Sequence, residues 1–169
     1  MGIFQCILKK SNDIILMLEQ RYKIMSILMA YDGKQHTEGA LDYAIGHAIA
    51  YNMPLYFVSF VVQKDNAGKE DELISLKGHL ERAKRRAAER NVEARTFIEV
   101  GNPAEVILSV AERIGADTII MGRHTGMSTF DRMMAGSVSE HVMRNAKCTV
   151  IIVQQDPAED RGWNKGRRF

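Results

Sequence analysis

From Lys23 onward, short apolar runs alternate along the chain with longer amphipathic stretches. Ile24-Met25-Ser26-Ile27-Leu28-Met29-Ala30 is long enough for a buried strand and too short for most helices. Thr37 to Asn52 carries Leu41, Ala44, Ile45 and Ala48 at three- and four-residue spacing, which predicts a helix with one apolar face. Pro54 ends it, and the β-branched and aromatic run Leu55 to Val62 predicts a second strand. The polar, glycine-containing stretch Gln63 to Lys69 reads as a connection. Asp71 to Arg90 then places Leu73, Leu76, Leu80, Ala83 and Ala87 on one helical face. Val92 to Val100 is a third strand, and Gly101-Asn102-Pro103 turns into a helix from Ala104 to about Ile114, with Ala104, Ile107, Leu108, Ala111 and Ile114 inward and Gly115 closing it. Thr118 to Met121 is a fourth strand, Gly136 to about Ala146 a last helix, and Thr149 to Val153 a fifth strand. Strands alternating with helices in this order predict a single doubly wound α/β domain: a mostly parallel five-stranded sheet with helices on both faces.

The pattern divides the chain into an N-terminal extension at 1–22, a domain at 23–153 and a C-terminal tail at 154–169. In the extension, Ile14, Ile15, Met17, Leu18 and Tyr22 cluster loosely at helical spacing behind Asn12-Asp13, so a short amphipathic helix and a partly ordered arm are both open. The 169 residues suit one ordinary domain, and 46% hydrophobic with 26% charged residues is the profile of a globular chain. With 23 Lys+Arg against 21 Asp+Glu, the net charge of +2 gives no field of the kind that drives nucleic-acid binding. Cys6 and Cys148 make no disulfide framework. No apolar window reaches the roughly 20 residues of a membrane span, and the first residues lack the charge order of a signal peptide. The expectation is a cytoplasmic protein with neither membrane nor nucleic-acid partners.

Candidate chemistry follows from the fold class, because such sheets bind ligands beyond the carboxyl ends of their strands, where the strand order reverses. The first strand ends in Tyr31-Asp32-Gly33, and an aspartate there either accepts from a ribose hydroxyl or base edge or serves as a turn or cap residue. The fourth strand runs into Gly122-Arg123-His124-Thr125-Gly126, and after nine intervening residues come Gly136 and Ser137 at the start of a helix. Glycines allow main-chain N–H groups to approach phosphate oxygens. A helix start adds unpaired N–H groups and a favourable dipole, and Ser137 adds a hydroxyl for phosphate or for capping. Together they describe an anion pocket that a nucleotide would bridge to Asp32, against the plainer reading in which each glycine serves a turn.

Four stretches carry a family resemblance: Ile27 to Gly33, Gly101 to Ile107, Gly115 to Arg123 and Gly136 to Val142. In this order and spacing the sequence resembles a universal stress protein from Lys23 to about Val153, with the adenine nucleotide alpha hydrolase-like fold. Members of that family that bind ATP are similar in a motif G-x2-G-x9-G-[ST]. Gly126, Gly136 and Ser137 match its second half, while Gly122-x3-Gly126 is one residue longer than its first interval. The resemblance implies that Asp32 contacts the nucleoside and that main chain near Phe60 on the second strand reads the adenine edge. It further implies that Met121, Gly122 and Arg123 flank the ribose and phosphates, and that Gly126, Gly136, Ser137 and Val138 cradle a triphosphate with Mg²⁺ or Mn²⁺. It also implies a homodimer through the last strand and a regulatory protein partner. Two other readings are a scaffold of the same fold without nucleotide and a slow ATPase.

Enzymatic classes find little footing. There is no Walker-type loop and no Gly-x-Gly-x-x-Gly fingerprint. No Gly-x-Ser-x-Gly elbow surrounds Ser137. No base aimed at a water beyond a γ-phosphate is evident, and no catalytic residue is assigned. His36, His47, His79 and His141 read as surface or helix-face residues, whereas His124 falls in the loop expected near phosphates; no metal ligand set is legible. Glu81 to Arg95 holds six bases and three acids, which reads as a solvated helix face.

Overall fold

The computed structural model describes residues 25–61, 69–123 and 138–154. The extension at 1–22, the connection at 63–68, the loop at 124–137 and the tail from 155 onward lie outside the described residues. The elements run β1 Ile27–Ala30, α1 Gln35–Tyr51, β2 Leu55–Val61, α2 Lys69–Ala88, β3 Ala94–Val100, α3 Pro103–Ile114, β4 Thr118–Gly122, α4 at 138–145 and β5 Thr149–Val153. The five strands form one sheet in the order β3-β2-β1-β4-β5, with every neighbouring pair parallel.

That order has a physical origin in the strands themselves. All four residues of β1 are buried, as a strand covered on both faces requires. Side chains alternate across the sheet: Ile27 and Met29 pack with Phe57 and Ile120 under α1 and α2, while Leu28 and Ala30 pack with Val58, Ile119 and Met121 under α3 and α4. The predicted stripe of α1 is the observed one, since Leu41, Ala44, Ile45 and Ala48 are all buried. On α2, Leu76, Leu80, Ala83 and Ala87 are buried and Leu73 is half-buried. The buried face of α3 is wider than predicted, because Val106 and Val110 join Ala104, Ile107 and Ala111. Half-buried Leu108 and Ile114 mark its edge.

Two strand starts move inward from their predicted positions. Ser26 is not in the ladder: its N–H donates to the Asp117 carboxylate and its carbonyl accepts from Asp117 and Thr118, so pairing begins at Ile27. Val92 lies in the turn that closes α2, donating its N–H to the Ala87 carbonyl beside Asn91 at φ +58°, and β3 starts only at Ala94. Both shifts arise because hydrogen bonds of a neighbouring element claim the residue first.

Candidate functional site at the β1–β4 crevice

The chain leaves β1 toward α1 under the sheet and returns to β4, on the other side of β1, by way of α3 under the opposite face. The carboxyl ends of β1 and β4 are therefore neighbours whose following chains diverge, and a crevice opens between them. Ala30 is in register with Met121, so Tyr31-Asp32-Gly33 and Gly122-Arg123 leave the sheet side by side.

On the β1 side the turn is well determined. The Tyr31 N–H donates to the Val58 carbonyl at 2.9 Å, extending the β1–β2 ladder by one bond. Its own carbonyl accepts the hydroxyl of fully buried Ser59. Asp32 Oδ1 accepts the Lys34 N–H at 3.0 Å, and Thr37 Oγ1 also stands 3.0 Å from it. Thr37 has a second acceptor in the Lys34 carbonyl at 2.8 Å, and its single proton serves one acceptor at a time. Lys34 Nζ lies 3.5 Å from Asp32 Oδ2. The Asp32 carboxylate thus has a turn-forming role, and its side chain remains about 25% exposed. Gly33 sits at φ +73°, a conformation that favours glycine.

Main-chain direction decides what Phe60 presents. The Val61 carbonyl accepts from Gly101, on the β3 side, and the Val58 carbonyl accepts from Tyr31, on the β1 side. In an extended strand successive residues point their N–H and C=O groups to opposite neighbours. Phe60 therefore aims both groups toward β1, past its last residue, into the space at the crevice. The Phe60 ring is half-buried against the α3 side of the core.

The β4 side is more mixed. The Met121 side chain is buried in the core beneath α3 and α4, so only its main chain is near the crevice. Gly122 is half-buried and in register with Val153. The Arg123 N–H donates to the Val153 carbonyl, and its exposed guanidinium donates to Gln154 Oε1 at 2.5 Å. Val138 opens the described part of α4 and packs against the core. His124, Gly126, Gly136 and Ser137 lie outside the described residues.

Sequence reasoning missed one participant. His79, read as a helix-face residue, is half-buried, and its Nδ1 stands 2.9 Å from the Asp32 carbonyl oxygen. Seven residues further along α2, Arg86 donates to Glu38 at 2.6 Å and to Asp42 at 2.7 Å. Part of the basic stretch thus ties α2 to α1 instead of facing solvent. Glu38 also accepts the Tyr31 hydroxyl at 2.5 Å. Burial, reinforced by the hydrogen bond and charge of Glu38, raises the Tyr31 phenol well above its ordinary range. None of these contacts leaves a local sequence signal, because each joins residues on separate elements.

Among the described residues no group of three His, Cys, Asp or Glu side chains gathers to hold a metal. A separate cavity of about 240 Å³, lined by Leu108, Gly115, Ile119, Ala146 and Cys148 among others, lies at the amino ends of β4 and β5, away from the crevice.

An open parallel sheet in 3-2-1-4-5 order, with its crevice at the β1–β4 switch, places the chain among doubly wound α/β proteins whose ligand sites lie at strand carboxyl ends. The chain belongs to the universal stress protein family, whose model matches residues 23–154. A universal stress protein of Methanocaldococcus jannaschii is 32% identical over 158 residues, covering 88% of this chain and 91% of that one. A putative universal stress protein of Staphylococcus epidermidis is 32% identical over 146 residues, covering 78% and 84%. The universal stress protein structure from Archaeoglobus fulgidus aligns with a TM-score of 0.64 at 25% identity, over 76% of this chain and 97% of that one. The universal stress protein from the same organism in complex with dAMP aligns with a TM-score of 0.62 at 24% identity, over 76% and 96%, which shows the shared fold.

Proposed function

We propose that the chain is a nucleotide-responsive module that takes ATP in the crevice between Asp32 and the Gly122–Ser137 segment, the bound state biasing dimer or partner contacts in the cytoplasm. The observation that carries this reading is the pair of main-chain groups of Phe60 aimed past the end of β1, across from a partly exposed carboxylate. A donor and an acceptor side by side suit the edge of an adenine ring, and Asp32 Oδ2 suits a ribose hydroxyl. For the phosphates, support comes from the sequence: Gly126, Gly136 and Ser137 match the glycine motif of ATP-binding relatives. A divalent ion arriving with the nucleotide would be held in part by phosphate oxygens. Mg²⁺ or Mn²⁺ bound in this way would neutralise phosphate charge. Lys34 beside Asp32 adds a cation at the same rim.

The test is thermal shift with MgATP, together with chromatography of any nucleotide released from the denatured protein. A specific site raises the melting temperature by about 5–10 °C at a hundredfold excess over Kd. Gly136→Val, which puts bulk in the phosphate path, abolishes the rise. An unchanged melting temperature in the unaltered chain sinks the ATP reading and favours the scaffold, with the longer Gly122–Gly126 interval as its cause. Steady hydrolysis lost in Ser137→Ala would instead make the module a slow ATPase.

A further inference from the structure

We propose that His79 is a positioning residue for this crevice: from α2 its Nδ1–H holds the Asp32 main-chain carbonyl and so fixes the turn that presents the Asp32 carboxylate. The inference rests on the nucleotide reading above. A carbonyl oxygen only accepts, so at 2.9 Å the proton sits on Nδ1, whatever the charge of the ring. The imidazole also occupies the place of a side chain at the next residue, because a Cβ on Gly33 would fall 1.5 Å from Nδ1. With the ring in this place, position 33 has room only for glycine.

Glycine permits the turn without enforcing it. At φ +73° Gly33 is in a region it leaves as readily as it enters, so nothing in the residue itself keeps the Asp32–Gly33 peptide plane in this orientation. The lock comes from outside. Asp32 is gripped on its carbonyl by His79 and on its carboxylate by the start of α1, through the Lys34 N–H and Thr37. If the first grip is lost, the plane rotates and the carboxylate samples orientations that do not meet a ligand, which weakens binding by the cost of restoring order.

Calorimetric titration of MgATP into the full chain and its position-79 variants tests this. His79→Leu keeps apolar volume and loses the donor, and we expect affinity to fall about 3–10-fold, as for one uncharged hydrogen bond, while His79→Asn, whose amide N–H stands where Nδ1 stood, returns it to within about twofold. A space-filling role would give the reverse order, and Leu binding as well as His overturns the inference. Should His79→Leu fail to fold, imidazole ¹⁵N shifts of the unaltered chain decide. A neutral His79 protonated on Nε2 overturns the inference, and protonation on Nδ1 that persists with MgATP upholds it. No binding by the unaltered chain overturns the nucleotide reading and this inference with it, whereas binding indifferent to position 79 overturns the inference alone.

Discussion

Tyr31 shows how one side chain serves both the core and the crevice. Its ring is buried against Phe57, with centroids 6.1 Å apart, while its hydroxyl reaches Glu38 on α1. Because burial and Glu38 raise the phenol in the folded state, its contribution to stability is complete below the unfolded value near 10 and is lost as pH rises above it. Urea midpoints measured from pH 7 to 11 should therefore fall in the alkaline limb. In Tyr31→Phe the protein should be about 1 kcal/mol less stable at pH 7, with a shallower alkaline decline. Equal alkaline slopes for the two proteins would remove Tyr31 from this account.

At the scale of elements, α3 is specified by its own ends. Asn102 caps it, its side chain accepting from the N–H groups of Ala104 at 3.0 Å and Glu105 at 3.4 Å, and Pro103 stands at the first helical position. Gly115 at φ +64° closes it, its N–H meeting the Glu112 carbonyl. Asn102→Ala should cost about 1 kcal/mol, near 3 °C in Tm for a chain of this size. Nucleotide affinity should not move, because this helix start follows β3 at the sheet edge and not the β1–β4 crevice. A loss of affinity without a loss of Tm would contradict that placement. The start of α1 is built differently. Its N-cap residue Lys34 makes no side-chain cap bond, and Asp32, two residues earlier, receives the Lys34 N–H instead. If Asp32 also meets a ligand, as we propose, it serves both the turn and the site, and the His79 contact from α2 holds its main chain while it does so.

At the scale of the whole molecule, β5 forms one edge of the sheet. Val150, Ile151, Ile152 and Val153 are all only half-buried, an apolar edge of the kind that pairs. Val153 and Thr149 turn their main chains to β4, through bonds with Arg123 and Asp117. By alternation, Val150 and Ile152 face outward. Ile152→Pro removes an outward N–H and spares the β4–β5 ladder, a position where an edge strand tolerates proline. If the chain dimerises through this strand, as the family resemblance implies, light scattering will give about twice 19.1 kDa for the unaltered chain and the single mass for the variant. A dimer that persists in Ile152→Pro places the interface elsewhere.

The sequence alone determined the alternation of strands and helices, the inward faces of α1 and α2, and the capped ends of α3. Each depends on residues a few positions apart, where the period of apolar positions or a short capping pattern sets the free energy. The residues proposed for the nucleotide were singled out by signals of the same short range, glycines and an aspartate following strands. What tertiary structure decided is which distant groups meet: the 3-2-1-4-5 order that opens the crevice, the burial of Met121 away from it, the Arg86 bridge to α1, and the grip of His79 on Asp32 across 47 residues of chain. Those contacts depend on how packed helices orient over the sheet. That orientation is set by the fit of many side chains at once, and no single stretch of sequence encodes it.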